Sequence, residues 1–274
     1  MNFIKRHDIK NPQMAKEDRD YSYEDLAAGK LAIAKNADLL GYMAGTARGN
    51  AGIAACNELG PDEILKDLKL ASSLATTHWS MASGVVDEAE IEIVGHHYHV
   101  SPKKSTAFIS IADWKVAVYV ELILRSKANL QLLSHAAKLV FKQENPIHES
   151  AGELEWMLLQ AIAEGDDVLA KTEASKLPSL VEVGKELFAK LIQGPQSLVW
   201  YAIFCQDQSN FDMAVLAALQ SHKEFWGNTS NSQKEYGWIS FPLLAACAYA
   251  HDHGMDLNVE SDYIPRWLVT GDFL

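Results

Sequence analysis

Glu90, Glu92, His97 and His99 are the residues whose types and spacing come closest to chemistry. Carboxylates and imidazoles are the ligands of zinc sites and the usual pair for proton transfer. Ile91, Ile93, Tyr98 and Val100 are interleaved with them, so two short strands turning at Val94-Gly95 are expected. That turn sets Glu92 opposite His97 and Glu90 opposite His99, leaving one face Glu/His and the other apolar. A metal is the sharper reading of that face. Neighbouring side chains on a flat hairpin seldom close a tetrahedron, so a solvated face with favourable Glu–His pairs is the stronger one. Asp87 and Glu88 extend the acidic run, and Glu164, Asp166 and Asp167 gather at an interhelix turn. These seven acids are candidate contacts for a basic protein surface, although such clusters also serve as plain solvated edges.

Other signatures of catalysis are missing. His148-Glu149 begins a zinc-protease pattern, but Gly152 stands where the second ligand belongs. No glutamate is followed three residues later by histidine, which removes the helical di-iron motif. There is no Cys-x-x-Cys pair, no phosphate-cradling Gly-rich loop and no Gly-x-Ser-x-Gly elbow. His251 and His253 would point about 200° apart on a helix, so they suit its C-terminal dipole better than a metal. The seven tryptophans sit mostly at apolar helical positions and read as core. No catalytic, cofactor-binding or metal-ligating residue is assigned.

Twenty-four basic against 36 acidic side chains give a net charge of −12. That sign opposes general nucleic-acid binding, which needs a basic face, and suits either simple solubility or a basic partner. The chain is charged from its fifth residue, carries no apolar signal core and has no apolar run of membrane-spanning length. Cys56, Cys205 and Cys247 are far apart in apolar contexts, so all three read as small buried hydrophobes of a reducing compartment. A cytoplasmic location follows as the expectation.

The elements that must position these residues are nearly all helical. Residues 1–20 read as a loosely held lead-in. Ser22 and Asp25 form a capping box for a helix whose face carries Leu26, Ile33, Ala37, Leu40 and Ala44. Gly41, Gly45, Gly49 and Gly52 are expected to break or thin the next stretch, or to let helices approach closely. Gly60-Pro61 restarts a helix that runs to about Ser83. After the hairpin, Ser105 opens an apolar helix through Trp114, and a second follows with Leu133 and Ala137. Asn145-Pro146 is the candidate boundary, within one helical domain (1–274) or between packed halves 21–143 and 147–274. Beyond it, Asp166 or Asp167 caps a helix ending before Pro178, and Gly194-Pro195 closes the next one. Trp200 and Tyr201 read as core, and a further helix spans Phe211–Trp226. The breaks near residues 145, 165, 177, 194, 209 and 230 are uneven, so no repeat is assigned. The fold class expected is all-α: stacked antiparallel helical hairpins with one small β-hairpin near residues 90–100.

Ser240 can cap the last long helix, with Pro242 in its first turn and Gly254 stopping it in a left-handed conformation. An extended tail then closes with Tyr263-x-Pro265-x-Trp267-Leu268. The motifs Ile239-Ser240-Phe241-Pro242-Leu243-Leu244-Ala245, Ala250-x-x-x-Gly254-Met255 and Glu260-Ser261-Asp262-Tyr263-Ile264-Pro265-x-x-Leu268 together resemble the C-terminal region of the bacterial immunity protein 49 family. The resemblance covers the last forty residues well, residues 90–135 loosely, and the remainder only by helical character. It implies a cytoplasmic antitoxin of polymorphic or type VI secreted toxin systems, acting in interbacterial competition. On that reading the partner is a cognate toxin domain encoded nearby, of nuclease or deaminase type, blocked by binding alone. The chain itself would not be an enzyme and would touch neither nucleic acid nor membrane. Two alternatives stand beside it: a metal-dependent helical enzyme with a dispersed site, and a helical adaptor protein.

Overall fold

A computed structural model describes residues 2–27, 38–93, 95–100, 107–141, 151–180 and 186–274. Among them the chain is all-α, with eleven α-helices and four short strands. It divides into an N-terminal unit, Lys10–Glu121 with Ala128–Gln143, and a C-terminal unit of Met1–Ile9, Leu122–Lys127 and Glu144–Leu274.

In the N-terminal unit, helix α1 (Pro12–Ala27) begins ten residues before the expected cap. Pro12 is well placed at a first turn, and nothing after it breaks the helix. Ser22 therefore lies inside α1, where its hydroxyl donates to the Arg19 carbonyl at 2.7 Å rather than capping. The side chain of Leu26, together with Ile33 and Ala37, lies outside the described residues. Helix α2 (Asp38–Cys56) runs unbroken through all four glycines. At Gly41 an added Cβ would meet Phe108 Cβ at 2.6 Å, so the missing side chain permits a close approach there.

Helix α3 (Pro61–Ser83) starts at Gly60-Pro61 as expected and stops at left-handed Gly84. Strands β1 (Asn2–Ile4), β2 (Ala89–Ile93) and β3 (His96–Val100) precede and follow it along the chain. The β2–β3 hairpin has the expected register, Glu90 opposite His99 and Glu92 opposite His97. Gly95 in the turn has φ +77°, which glycine adopts without strain, while Val94 lies outside the described residues. Ile91, Ile93 and Val100 face Leu40, Met43, Ala47 and Leu74 in one apolar cluster. Helix α4 (Ile111–Leu124) opens later than expected. Ser105 is outside the described residues, and Ser110 with Asp113 forms the cap instead: Ser110 N–H donates to Asp113 and Asp113 N–H to Ser110 Oγ, both at 3.2 Å. Helix α5 (Lys127–Phe141) is tied back by Trp114 Nε1, which donates to the Leu133 carbonyl at 2.9 Å.

In the C-terminal unit, α6 (Ala151–Glu164) ends at Gly165 (φ +75°), and α7 (Asp167–Lys176) follows at once. A π-helical turn over Ala189–Gln193 leads without interruption into α8 (Gly194–Cys205), so Gly194-Pro195 opens a helix instead of closing one. The wider turn hydrogen-bonds Gly194 N–H to the Ala189 carbonyl and accommodates a proline that has no N–H to give. Helix α9 (Gln208–Trp226) starts before Phe211 because Asp207 caps it. After a 3-10 turn at Glu235–Gly237 come α10 (Phe241–Asp252), strand β4 (Val259–Ser261) and α11 (Arg266–Thr270). Ser240 holds the N-cap position of α10 but its side chain makes no capping bond; its N–H donates to the Tyr263 carbonyl at 2.9 Å.

Residues 2–9 are not a loose lead-in. Strand β1 pairs in parallel with β4, Phe3 opposite Glu260. Arg6 then donates to the carbonyls of Trp238 (2.8 Å) and Asp262 (2.6 Å). Trp79, Trp114, Trp200 and Trp238 are fully buried, consistent with the core reading. Gly237 abuts Trp226 so closely that an added Cβ would lie 2.3 Å from the indole. Gly237→Ala is therefore expected to destabilise the protein by about 1–3 kcal/mol through overpacking. A urea midpoint equal to that of the parent chain would refute this.

Candidate functional site

Asp87, Glu88, Glu90 and Glu92 are all exposed, as are His96, His97 and His99. The hairpin register sets Glu90 opposite His99 and Glu92 opposite His97, and His99 Nε2 lies 3.6 Å from Glu88 Oε2. Among the described residues, no three His, Cys, Asp or Glu side chains are grouped so that they could hold a metal ion. Cross-strand pairing supplies two donors at a time, fewer than a tetrahedral site needs.

Glu164, Asp166 and Asp167 are exposed at the α6–α7 turn. Asp166 accepts from the Leu169 N–H at 2.9 Å and so is the cap; Glu164 accepts from Gln160 Nε2 at 2.6 Å. Asp167 stands in the first turn of α7, where the helix dipole favours negative charge. The hairpin acids belong to the N-terminal unit and the turn acids to the C-terminal unit.

A surface the sequence reading passed over lies between α8 and α9: an open groove of about 480 Å³. Leu198, Tyr201 and Cys205 form one wall, and Met213, Ala214 and Ala217 form the other. Tyr201 is not core, at 38 % exposed, and Cys205 is exposed rather than buried. The Tyr201 hydroxyl interacts with the Cys205 thiol one turn on, and this raises the phenol's pKa. The signal was a pair of matching rows at i, i+3, i+4 and i+7: 198, 201, 202, 205 and 210, 213, 214, 217. It was hidden because α8 is apolar on nearly every side, so periodicity could not say which stripe faces out.

Three arginines do unexpected structural work. Arg19 joins Asp67, Glu63 and Tyr23 in a buried polar knot. Burial pushes the Asp67 carboxyl up to about 6 and the Tyr23 phenol up as well. Asp67 looks like a poised acid, yet both of its oxygens accept hydrogen bonds, Oδ2 from Arg19 and Oδ1 from Tyr23, so the group is occupied in holding the helices. Arg125 covers the carbonyl end of α11, donating to Leu268 (2.5 Å) and Val269, and it pairs with Asp252 at 3.2 Å. Arg6 clasps the two chain ends beside His7, whose N–H donates to the Tyr263 hydroxyl at 2.9 Å. His7 Nδ1 is 2.8 Å from the same hydroxyl and Nε2 is 3.1 Å from the Ser232 carbonyl. His222, fully buried, has Nε2 3.0 Å from the Gly237 carbonyl and its ring 4.7 Å from that of Tyr263. Arg6, His7, Arg125 and His222 thus hold the tail described above.

No helix among the described residues is long and apolar enough to cross a membrane. A model of the family described as Immunity protein 49 matches residues 62–268. The match extends well beyond the last forty residues, taking in the hairpin, the α6–α7 turn and the α8–α9 groove. No curated protein and no solved structure matches the chain.

Proposed function

Because the chain belongs to the Immunity protein 49 family, we propose that it binds and neutralises a cognate secreted antibacterial toxin by direct contact, without catalysis of its own. The single observation carrying this reading is the family match over residues 62–268. The toxin is expected to be a nuclease or deaminase of a polymorphic or type VI system, met in the cytoplasm of a sister cell. Nucleases carry basic clefts, and a partner with net charge −12 supports fast encounter with such a surface. A helical scaffold with preformed surfaces supports the slow dissociation an antitoxin needs.

Asp87, Glu88, Glu90 and Glu92 on the hairpin and Glu164, Asp166 and Asp167 at the α6–α7 turn are the proposed steering contacts. Co-expression with the product of the adjacent gene tests the function: growth is rescued and the two proteins co-purify. Growth arrest unrelieved by this chain would refute it. The steering role makes a separate prediction. Neutralising the four hairpin acids as amides slows association by roughly tenfold at low salt while leaving dissociation nearly unchanged. An association rate insensitive to both salt and these substitutions would remove the acids from the interface.

A further inference from the structure

We infer that the α8–α9 groove seats a helical segment of the toxin, one that presents a row of apolar side chains and a lysine or arginine placed to meet Asp207. This rests on the reading of the chain as an immunity protein and adds to it the anchoring surface. Only Gln206 and Asp207 separate α8 from α9, so the two helices run antiparallel and leave a trough of the shape a third helix fills. Its walls are exposed apolar side chains: Leu198 at 37 %, Tyr201 at 38 % and Met213 at 59 %. Ala214 and Ala217 keep the opposite wall low, which leaves room for a partner's side chains. Tyr and Met are enriched at the centre of protein interfaces, tyrosine for its rigid area and methionine for its adaptability.

Charge selects the occupant. Among the described residues no lysine or arginine lines the groove, and Asp207 is the one carboxylate that does. That carboxylate is fixed by the Asn210 N–H at 3.0 Å and Asn210 Nδ2 at 2.7 Å, and each oxygen keeps a lone pair for a cation. A second copy of this chain fits poorly, since two molecules of charge −12 repel. A basic, apolar-faced helix satisfies both the walls and the acid.

The test uses the full chain and a catalytically inactivated product of the adjacent gene, measured by surface plasmon resonance. Ala217→Lys puts bulk and positive charge into the trough at an exposed position with good helix propensity. Dissociation should become faster by roughly thirtyfold or more, as when a central anchor is lost. Asp207→Asn retains the helix cap and should slow association by roughly threefold at low salt, a difference that fades at high salt. If Ala217→Lys does not fold, Met213→Gln on the same wall carries the test. Binding by the parent chain with all variants unchanged overturns the groove and leaves the immunity reading standing. Absence of binding by the parent chain overturns both. A parent chain that dimerises, with Ala217→Lys monomeric, makes a second copy the occupant and also overturns the proposal.

Discussion

Replacing Arg19 with methionine is expected to cost about 3–5 kcal/mol of stability, the range seen when one partner of a buried ion pair is removed. Asp67 is 0 % exposed, and its Oδ2 accepts from Arg19 Nε at 3.1 Å and Nη2 at 3.0 Å. Without the guanidinium, that carboxylate keeps only the Tyr23 hydroxyl and has no water to fall back on. The Glu63 arm, at 2.7 Å but 40 % exposed, contributes little because solvent screens it. Asp67 can take up a proton to escape, so the loss should be smaller near pH 5 than at pH 8. Pairing the substitution with Asp67→Leu removes both desolvation costs and should recover most of the loss. Urea unfolding of the single and double variants decides it. An Arg19→Met chain within 1 kcal/mol of the parent would show that the knot is replaceable packing.

The second large effect is with pH, and the two units should respond in opposite directions. Burial lowers the His222 pKa from 6.5 to about 4, and burial lowers that of His7 too. A histidine with a lowered folded pKa contributes stability that is present above pH 6.5 and lost as pH falls toward 4. For His222 that amounts to roughly 3 kcal/mol. Arg6 and His7 face His222 across the clasp, and Arg6 and Lys223 act on His7, so the cations there work against protonation while Asp8 favours it. Protonating His7 at Nδ1 also removes the acceptor for the Tyr263 hydroxyl. Asp67 has the opposite sign, because burial raises its pKa from 3.8 to about 6. Its contribution is present below pH 3.8 and lost as pH rises through 6. Glu121, raised by burial in the same unit, acts in the same sense. Whole-chain melting would blur these trends together, so the readout is amide hydrogen exchange resolved by segment. Between pH 6.5 and 4.5, protection should fall around β1, β4 and α9 and hold or rise around α1 and α3. His222→Gln should abolish most of the acid loss in the C-terminal unit; a parallel decline in both units would refute the scheme.

Much of the architecture was legible because helix and hairpin signals are local. Gly60-Pro61 carries its own start signal, Asp166 its own cap, and the alternation around Val94-Gly95 set the register of β2 and β3. Errors arose where two local signals compete. Ser22 and Asp25 spell a cap, but a helix already under way from Pro12 absorbs them. Gly194-Pro195 spells a stop, but a π turn absorbs the proline. Seven acids could be named as candidates from clustering alone, and the structure places all of them on exposed surface. The groove could not be named, because a helix apolar on all sides does not declare which stripe it buries.

The amino-acid sequence by itself determined the helical class, the starts of α3, α7 and α10 and the pairing of the β2–β3 hairpin, since each depends on residues a few positions apart. Only the tertiary structure decided that Arg6 and His7 meet Asp262 and Tyr263 across 256 positions, that Arg125 covers α11, and that Tyr201 faces solvent while Trp200 does not. Contacts of that range are chosen by which faces bury together, a property of the assembled helices that no single segment carries.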